Sequence, residues 1–270
     1  MCGALVAAKD TLCAFCGEPL APSTTSAPLD LSVVLTLAWR LFQAHWRLLV
    51  LANLLYFGIL LTLGALMGGA SIAAVAWMAG FQPGGPDAGG AILLFLVIFV
   101  PISVLVLSFV DGILQGGYVT LLDKLVSGAP AGVQDFLSGW RYCWRSTLAQ
   151  LAYGLLVMCG LVLCLFPALL VLAVFWPIQF VIVHERLGVL SAFGRCWELT
   201  SRNLGPSLLL ALTALACDGM ASTVCSVALL ASHGFVELMF AVGFAQLTGR
   251  GGAGLAALEG KPGPVASLPT

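Results

Sequence analysis

Charge is the scarcest feature of this sequence. Asp, Glu, Lys and Arg make up 9% of its 270 residues, against about 25% in ordinary soluble domains. A chain so poor in charge cannot cover itself with a wetted surface, which excludes an ordinary soluble globular protein. The formal net charge of -1 carries no basic excess, so nucleic acid is not an expected partner. Enzyme signatures are missing as well. His184-Glu185 does not extend to HExxH, because Gly188 stands at the second histidine position. No GxSxG occurs, and no Ser or Cys falls in a recognisable pattern with His and Asp. The N-terminus has no basic stretch followed at once by a short apolar core, so the first span is expected to insert uncleaved. These absences predict a protein that is not an enzyme.

What is present is apolar. Hydrophobic residues reach 60%, and mean hydropathy is +1.06. A helix rises about 1.5 Å per residue, so roughly 20 apolar residues cross about 30 Å of hydrocarbon. In lipid every backbone N–H and C=O must be satisfied within the chain, which makes those runs helices. The expected fold class is all-α integral membrane, with about six transmembrane helices and three cytoplasmic interfacial amphipathic helices. The spans read as residues 48–67 (bending on to 79), 91–118, 148–166, 168–183, 204–230 and 235–247. FQPGGPDAGG breaks the chain after the first, Pro101 lies within the second, and Pro167 opens a hairpin into the fourth.

Basic residues test that map. Lys9, Arg40 and Arg47 precede the first span, and Lys124, Arg141 and Arg145 separate the second from the third. Arg186, Arg195 and Arg202 separate the fourth from the fifth, and Arg250 and Lys261 follow the sixth. The alternate loops carry no Lys or Arg. By the positive-inside rule both termini are cytoplasmic, in the cell inner membrane.

Composition divides the chain into a cysteine segment (1–20), a Pro/Ser/Thr linker (21–30), a six-span membrane domain (31–248) and a Gly/Pro-rich tail (249–270) expected to be disordered. The tail's GRGGAG is not a phosphate loop, since no strand precedes it. Within the membrane domain a Trp/Arg-bearing amphipathic segment leads into a span pair three times: LSVVLTLAWRLFQAHWRLL, VQDFLSGWRYCWRSTL and VLSAFGRCWELTSRNLG. Trp39, Arg40, Trp46, Trp140, Arg141, Trp144, Arg145, Arg195 and Trp197 are the expected headgroup anchors. The bilayer is the first expected partner, and a protein at the cytoplasmic face the second.

Cys2, Cys13 and Cys16, with Gly3 and Gly17, form three quarters of a CxxCG…CxxCG pattern. Structural zinc takes four thiolate or imidazole ligands, commonly from two such knuckles, and a reducing cytoplasm favours metal over disulfide. The pattern predicts an incomplete zinc-ribbon site with zinc as its cofactor. Its missing cysteine would stand three residues before Cys2, upstream of Met1. The alternative is three free thiols. The other six cysteines read as small apolar residues.

Ionisable groups at membrane depth are costly and are functional candidates by default. Asp111 and Asp218 qualify, and Gln115 and Gln179 join them as a predicted intramembrane polar site. Glu237 and His233 read as lying near the outer ends of the last two spans. Two roles stay open: a proton or cation pathway, or interhelical hydrogen bonding. Gly64-x-x-x-Gly68 and Gly112-x-x-x-Gly116 predict close helix approach.

The stretch FWPIQFVIVHERLGVLSAFGRCWELTSRNLG resembles multi-span bacterial proteins that include the membrane domain of glycerophosphodiester-phosphodiesterase-type proteins. The matching positions are Pro177, Val183, Glu185, Gly188, Arg195, Trp197, Leu199, Thr200 and Arg202, with Cys196 where the family has Ser. DGILQGGYVTLLDKLVSG resembles that family's Gly-rich span end. The resemblance implies a membrane fold over about residues 31–247 and no particular chemistry. The leading expectation is therefore a non-enzymatic scaffold or regulatory protein. The alternative is a transporter or lipid-handling protein that uses Asp111 and Asp218.

Overall fold

A computed structural model describes residues 28–81, 88–224 and 226–249. Every regular element among them is helical. Six helices are long and apolar enough to cross a membrane: Leu31–Ala76, Val97–Ser127, Val133–Leu163, Leu165–Glu185, Leu204–Val224 and Ala228–Leu247. Cys2, Cys13 and Cys16, and the tail from residue 250, lie outside the described residues.

The first helix, α1 (Leu31–Phe81), starts at a side-chain cap. The Asp30 carboxylate accepts the backbone N–H of Ser32 at 2.9 Å and of Val33 at 3.4 Å, and the Ser32 hydroxyl at 2.7 Å. That is the ordinary N-cap role of Asp. The Ser32 hydroxyl, then the two amides, hold Asp30 below the usual carboxylate range.

Non-helical dihedrals at His45 (φ -125°, ψ 16°) kink α1. Ahead of the kink Val34, Leu37, Ala38 and Leu41 are buried, a full i, i+3, i+4, i+7 stripe. That stripe runs along α9 (Ser226–Leu247). Asp30 N–H donates to Gln246 Oε1 at 3.2 Å, and Trp39 and Phe42 meet Phe235 edge-on at 5.8 and 6.0 Å. Beyond the kink Asn53 Nδ2 donates to the Leu230 carbonyl at 2.7 Å. A segment expected to sit apart from a span beginning at residue 48 is thus built into the bundle. Its apolar face is complete enough to be a packing surface in its own right.

The next helix, α2 (Ala88–Ser127), contains Pro101. The chain then returns beside it as α3 (Val133–Leu137), a 3-10 turn (Ser138–Tyr142) and α4 (Cys143–Leu163). Of the two expected glycine pairs, only one packs. A Cβ on Gly112 would stand 2.8 Å from the Thr147 amide nitrogen, and one on Gly116 3.3 Å from the Gly139 carbonyl oxygen. Among the described residues nothing lies within 4 Å of a Cβ on Gly64 or Gly68, so no described helix packs against that glycine face. Gly112→Ala should therefore lower stability by about 1–3 kcal/mol, the usual cost of overpacking. Gly64→Ala and Gly68→Ala should leave it level or raise it by up to about 1 kcal/mol through helix propensity. Thermal unfolding in detergent micelles compares the three.

Cys164 (φ 176°, ψ 171°) separates α4 from α5 (Leu165–Phe175), with Pro167 in the first turn, where its missing N–H costs nothing. Pro177 divides α5 from α6 (Ile178–Glu185), and Arg186 (φ 54°) closes α6 in the left-handed region. On α7 (Val189–Ser201) the buried side is Ala192, Arg195, Cys196, Leu199 and Thr200. Burial pushes the Cys196 thiol well above its ordinary value, as expected of a cysteine used for packing.

The last two helices, α8 (Leu204–Val224) and α9, part near residue 225 rather than across 231–234. His233 and Glu237 consequently fall within α9, not near the outer end of a span. Ser232-His233-Gly234 resembles a turn in sequence, yet Gly234 serves helix approach: a Cβ there would stand 2.8 Å from Asn53 Nδ2.

One end of the bundle collects the basic connections. Leu29 N–H donates to Asn203 Oδ1 at 3.2 Å, Lys124 pairs with Asp135 at 2.6 Å, and Arg145 Nη1 donates to the Arg186 carbonyl at 2.9 Å. His184 Nδ1 lies 3.3 Å from Asp123 Oδ1 at the same end.

Candidate functional site

A half-open cavity of about 240 Å³ lies between the helices, walled by α2, α4, α5, α6, α8 and α9 together with Trp176 between α5 and α6. Its polar lining includes Gln115, Gln150, Gln179, Asp218, His233 and Glu237, and among the described residues no Lys or Arg lines it. Three of the four residues predicted from sequence meet there: Gln115, Gln179 and Asp218. Asp111 lies outside the lining, where it accepts a short hydrogen bond from the Tyr56 hydroxyl.

Each side chain is held by a neighbour. Asp218 accepts the Ser232 hydroxyl at 2.5 Å, and its other oxygen lies 3.9 Å from His233 Nδ1. The His233 ring sits among aromatic rings, 5.2 Å from Phe57, 6.0 Å from Tyr56 and 6.3 Å from Tyr118. Glu237 is only 7% exposed, and Gln115 Nε2 donates to its Oε1 at 3.4 Å. Gln179 accepts the Ser146 hydroxyl at 2.6 Å and donates to Gln150 Oε1 at 3.0 Å, which ties α6 to α4. On the same wall Trp176 is 8% exposed, and its indole N–H finds no acceptor. A buried donor without a partner is expensive in a low-dielectric interior.

The carboxylates are spread along the cavity rather than gathered into a cage. Among the described residues no three His, Cys, Asp or Glu are placed to hold a metal ion. The chemistry on offer is a negatively biased, hydrogen-bonding chamber with one imidazole that can take up a proton. Its volume is well above the ~10–15 Å³ that admits one water.

Sequence reasoning left His233, Glu237, Gln150, Tyr56 and Trp176 out of the predicted site. His233 and Glu237 are four residues apart and share a helix face, a spacing that becomes informative only once α9 is known to begin at Ser226. Among the expected anchors, Trp39, Trp46, Trp140, Trp144 and Trp197 are between 49% and 66% exposed, and Arg40, Arg141 and Arg145 are exposed too. Arg195 is not. Its Nε donates to both oxygens of Glu185, at 3.3 and 3.1 Å, and its Nη1 to Glu198 at 3.2 Å. It occupies the buried side of α7, which assigns it to packing rather than to headgroups.

No protein-family model, curated protein or solved structure matches this chain.

Proposed function

We propose that this protein is a multi-pass inner-membrane carrier of a small cation, with both termini cytoplasmic. The observation that carries this reading is the central cavity. Two carboxylates, one imidazole and three glutamines line it, on helices apolar enough to cross a membrane, with no Lys or Arg among the described lining residues. Among the described residues Glu237 is buried with only Gln115 as a hydrogen-bond partner, a cost that proton uptake or a bound cation relieves, and ionisable residues in membrane helices mark ion and proton pathways. The one-sided distribution of Lys and Arg supports the orientation. The exposed tryptophans, with Arg40, Arg141 and Arg145 close by in sequence, support a bilayer belt around the cytoplasmic half.

Purified protein in liposomes tests the reading, with methylammonium uptake and proton flux as the two probes. Asp218→Asn and Glu237→Gln should each reduce the flux at least tenfold while keeping the parent's melting temperature. Parent flux no greater than that of protein-free liposomes for both probes would remove the carrier reading.

A further inference from the structure

A second cavity, of about 180 Å³, lies beside Asp123, Ser127, His184 and Thr248, at the end of the bundle that holds Lys124, Arg145 and Arg186. Phe180 belongs to the walls of both cavities. It stacks on Phe244, also in the second wall, with ring centroids 5.6 Å apart and planes 28° from parallel. We infer that a cation reaches the central cavity from this basic-connection end, through the second cavity, and that the Phe180–Phe244 pair is the partition it must displace. This rests on the reading of the central cavity as a cation site.

The register of three helices supports a continuous route. On α2, Asp123 lines the second cavity and Gln115 the first. On α9, Ala245 and Glu237 stand in the same relation. Each pair is eight residues apart, about 12 Å of helix rise. On α6, Gln179 and His184 face the two cavities with Phe180 between them in the chain. The route therefore runs from one polar chamber to another past a stacked aromatic pair.

Charge fits a cation. Neither cavity is lined by Lys or Arg, and each holds a carboxylate and an imidazole. The nearby ammonium of Lys124 is paired with Asp135 at 2.6 Å, which reduces its repulsion of a positive solute. Asp123, half exposed and 3.3 Å from His184, adds negative charge beside the second cavity. Apolar constrictions control ion passage by excluding water, while the faces of aromatic rings tolerate a cation passing close to them. A phenylalanine pair thus closes the route to water and yields to a cation when one ring turns.

Thiol labelling tests the route independently of transport. Ala214 lines the central cavity and is buried, so Ala214→Cys places a reporter there. The protein is reconstituted in phosphatidylcholine vesicles sorted by orientation. It is treated from either side with a trimethylammonium methanethiosulfonate or with its sulfonate analogue of opposite charge. Peptide mass mapping separates the reporter from Cys217 and the other native cysteines. Adding Phe180→Ala should accelerate cationic labelling from the basic-connection side at least tenfold, leave labelling from the other side unchanged, and favour the cationic reagent at least tenfold over the anionic one. Phe180→Leu should stay near the slow rate, and Phe244→Ala should repeat the acceleration, guarding against misfolding of a single variant. Equal rates with and without Phe180→Ala, a lack of charge preference, or faster labelling from the opposite side overturns the inference. The two proposals fail separately. Accelerated cationic labelling without methylammonium or proton flux removes the carrier and keeps the route. Flux with labelling only from the opposite side does the reverse.

Discussion

Gly139→Ala is expected to abolish the native fold, and Gly117→Ala to do the same. The 3-10 turn crosses α2 with backbone against backbone. A Cβ on Gly139 would overlap the Ile113 carbonyl oxygen and the Gly117 amide, and a Cβ on Gly117 would overlap the Phe136 carbonyl. Those obstacles are main-chain atoms, which cannot turn aside as a side-chain tip can. Separating them would also disturb Phe136, which is 1% exposed and edge-on to Tyr118 at 6.2 Å. Ordinary overpacking costs about 1–3 kcal/mol, and losses beyond 4–5 kcal/mol belong to a short list of mechanisms that includes overpacking. The crossing belongs at that upper end, against a total stability typically of about 5–15 kcal/mol. Gly154, inside α4 with nothing within 4 Å, is the control: Gly154→Ala should be neutral, or stabilising by up to about 1 kcal/mol. Size-exclusion profiles in detergent, followed by thermal unfolding, give the answer. A monodisperse Gly139→Ala protein melting with the parent would show that the crossing is looser than described.

That crossing also shows where the sequence stops being readable. The helical class was legible because lipid leaves few options, so the length and hydropathy of each run nearly decide its structure. Which glycine is essential was not. A chain with 31 glycines meets G-x-x-x-G spacing by chance. One such pair packs and the other stands clear, while Gly117 and Gly139 belong to no such pair and make the closest approach. The difference lies in which helix comes alongside, which is tertiary information.

The site was legible to a similar depth. Gln115, Gln179 and Asp218 stand out as polar residues in apolar runs, and all three line the cavity. Asp111 stands out for the same reason but turns to Tyr56 instead. Glu237 and His233 were visible as polar residues but read at the outer ends of the last two spans, whereas α9 begins at Ser226 and encloses both. Arg195 shows the same limit on α7. A Trp/Arg segment announces an interface, but helix phase decides which Arg faces out. The phase is set by Ala192, Cys196 and Leu199, which are fully buried or nearly so and take Arg195 inward with them.

That inward position makes Arg195 the most consequential charged side chain outside the cavity. Arg195→Met and Glu185→Gln are each expected to destabilise the protein strongly. The side chains are 10% and 6% exposed, and their closest approach is 3.1 Å. Removing one partner of such a pair leaves a buried charge uncompensated, at a cost of about 3–5 kcal/mol. Arg195 is already short of partners, since its Nη2 nitrogen has none, so loss of Glu185 would leave the charge supported mainly by Glu198. Glu198 itself is 62% exposed, and solvent screens it, so Glu198→Ala should cost no more than about 1 kcal/mol. The double variant Glu185→Met with Arg195→Met removes both charges and keeps the volume. Buried pairs exchanged for apolar residues are often neutral or better, so the double variant should recover most of what either single change loses. A double-mutant cycle on melting in detergent measures that coupling directly. Additive losses, or a loss at Arg195→Met no larger than at Glu198→Ala, would mean that the pair is solvated and does not hold α7 to α6. A large coupling would instead mean that the ion pair holds α7 against the C-terminal end of α6, the helix that carries Phe180 and His184.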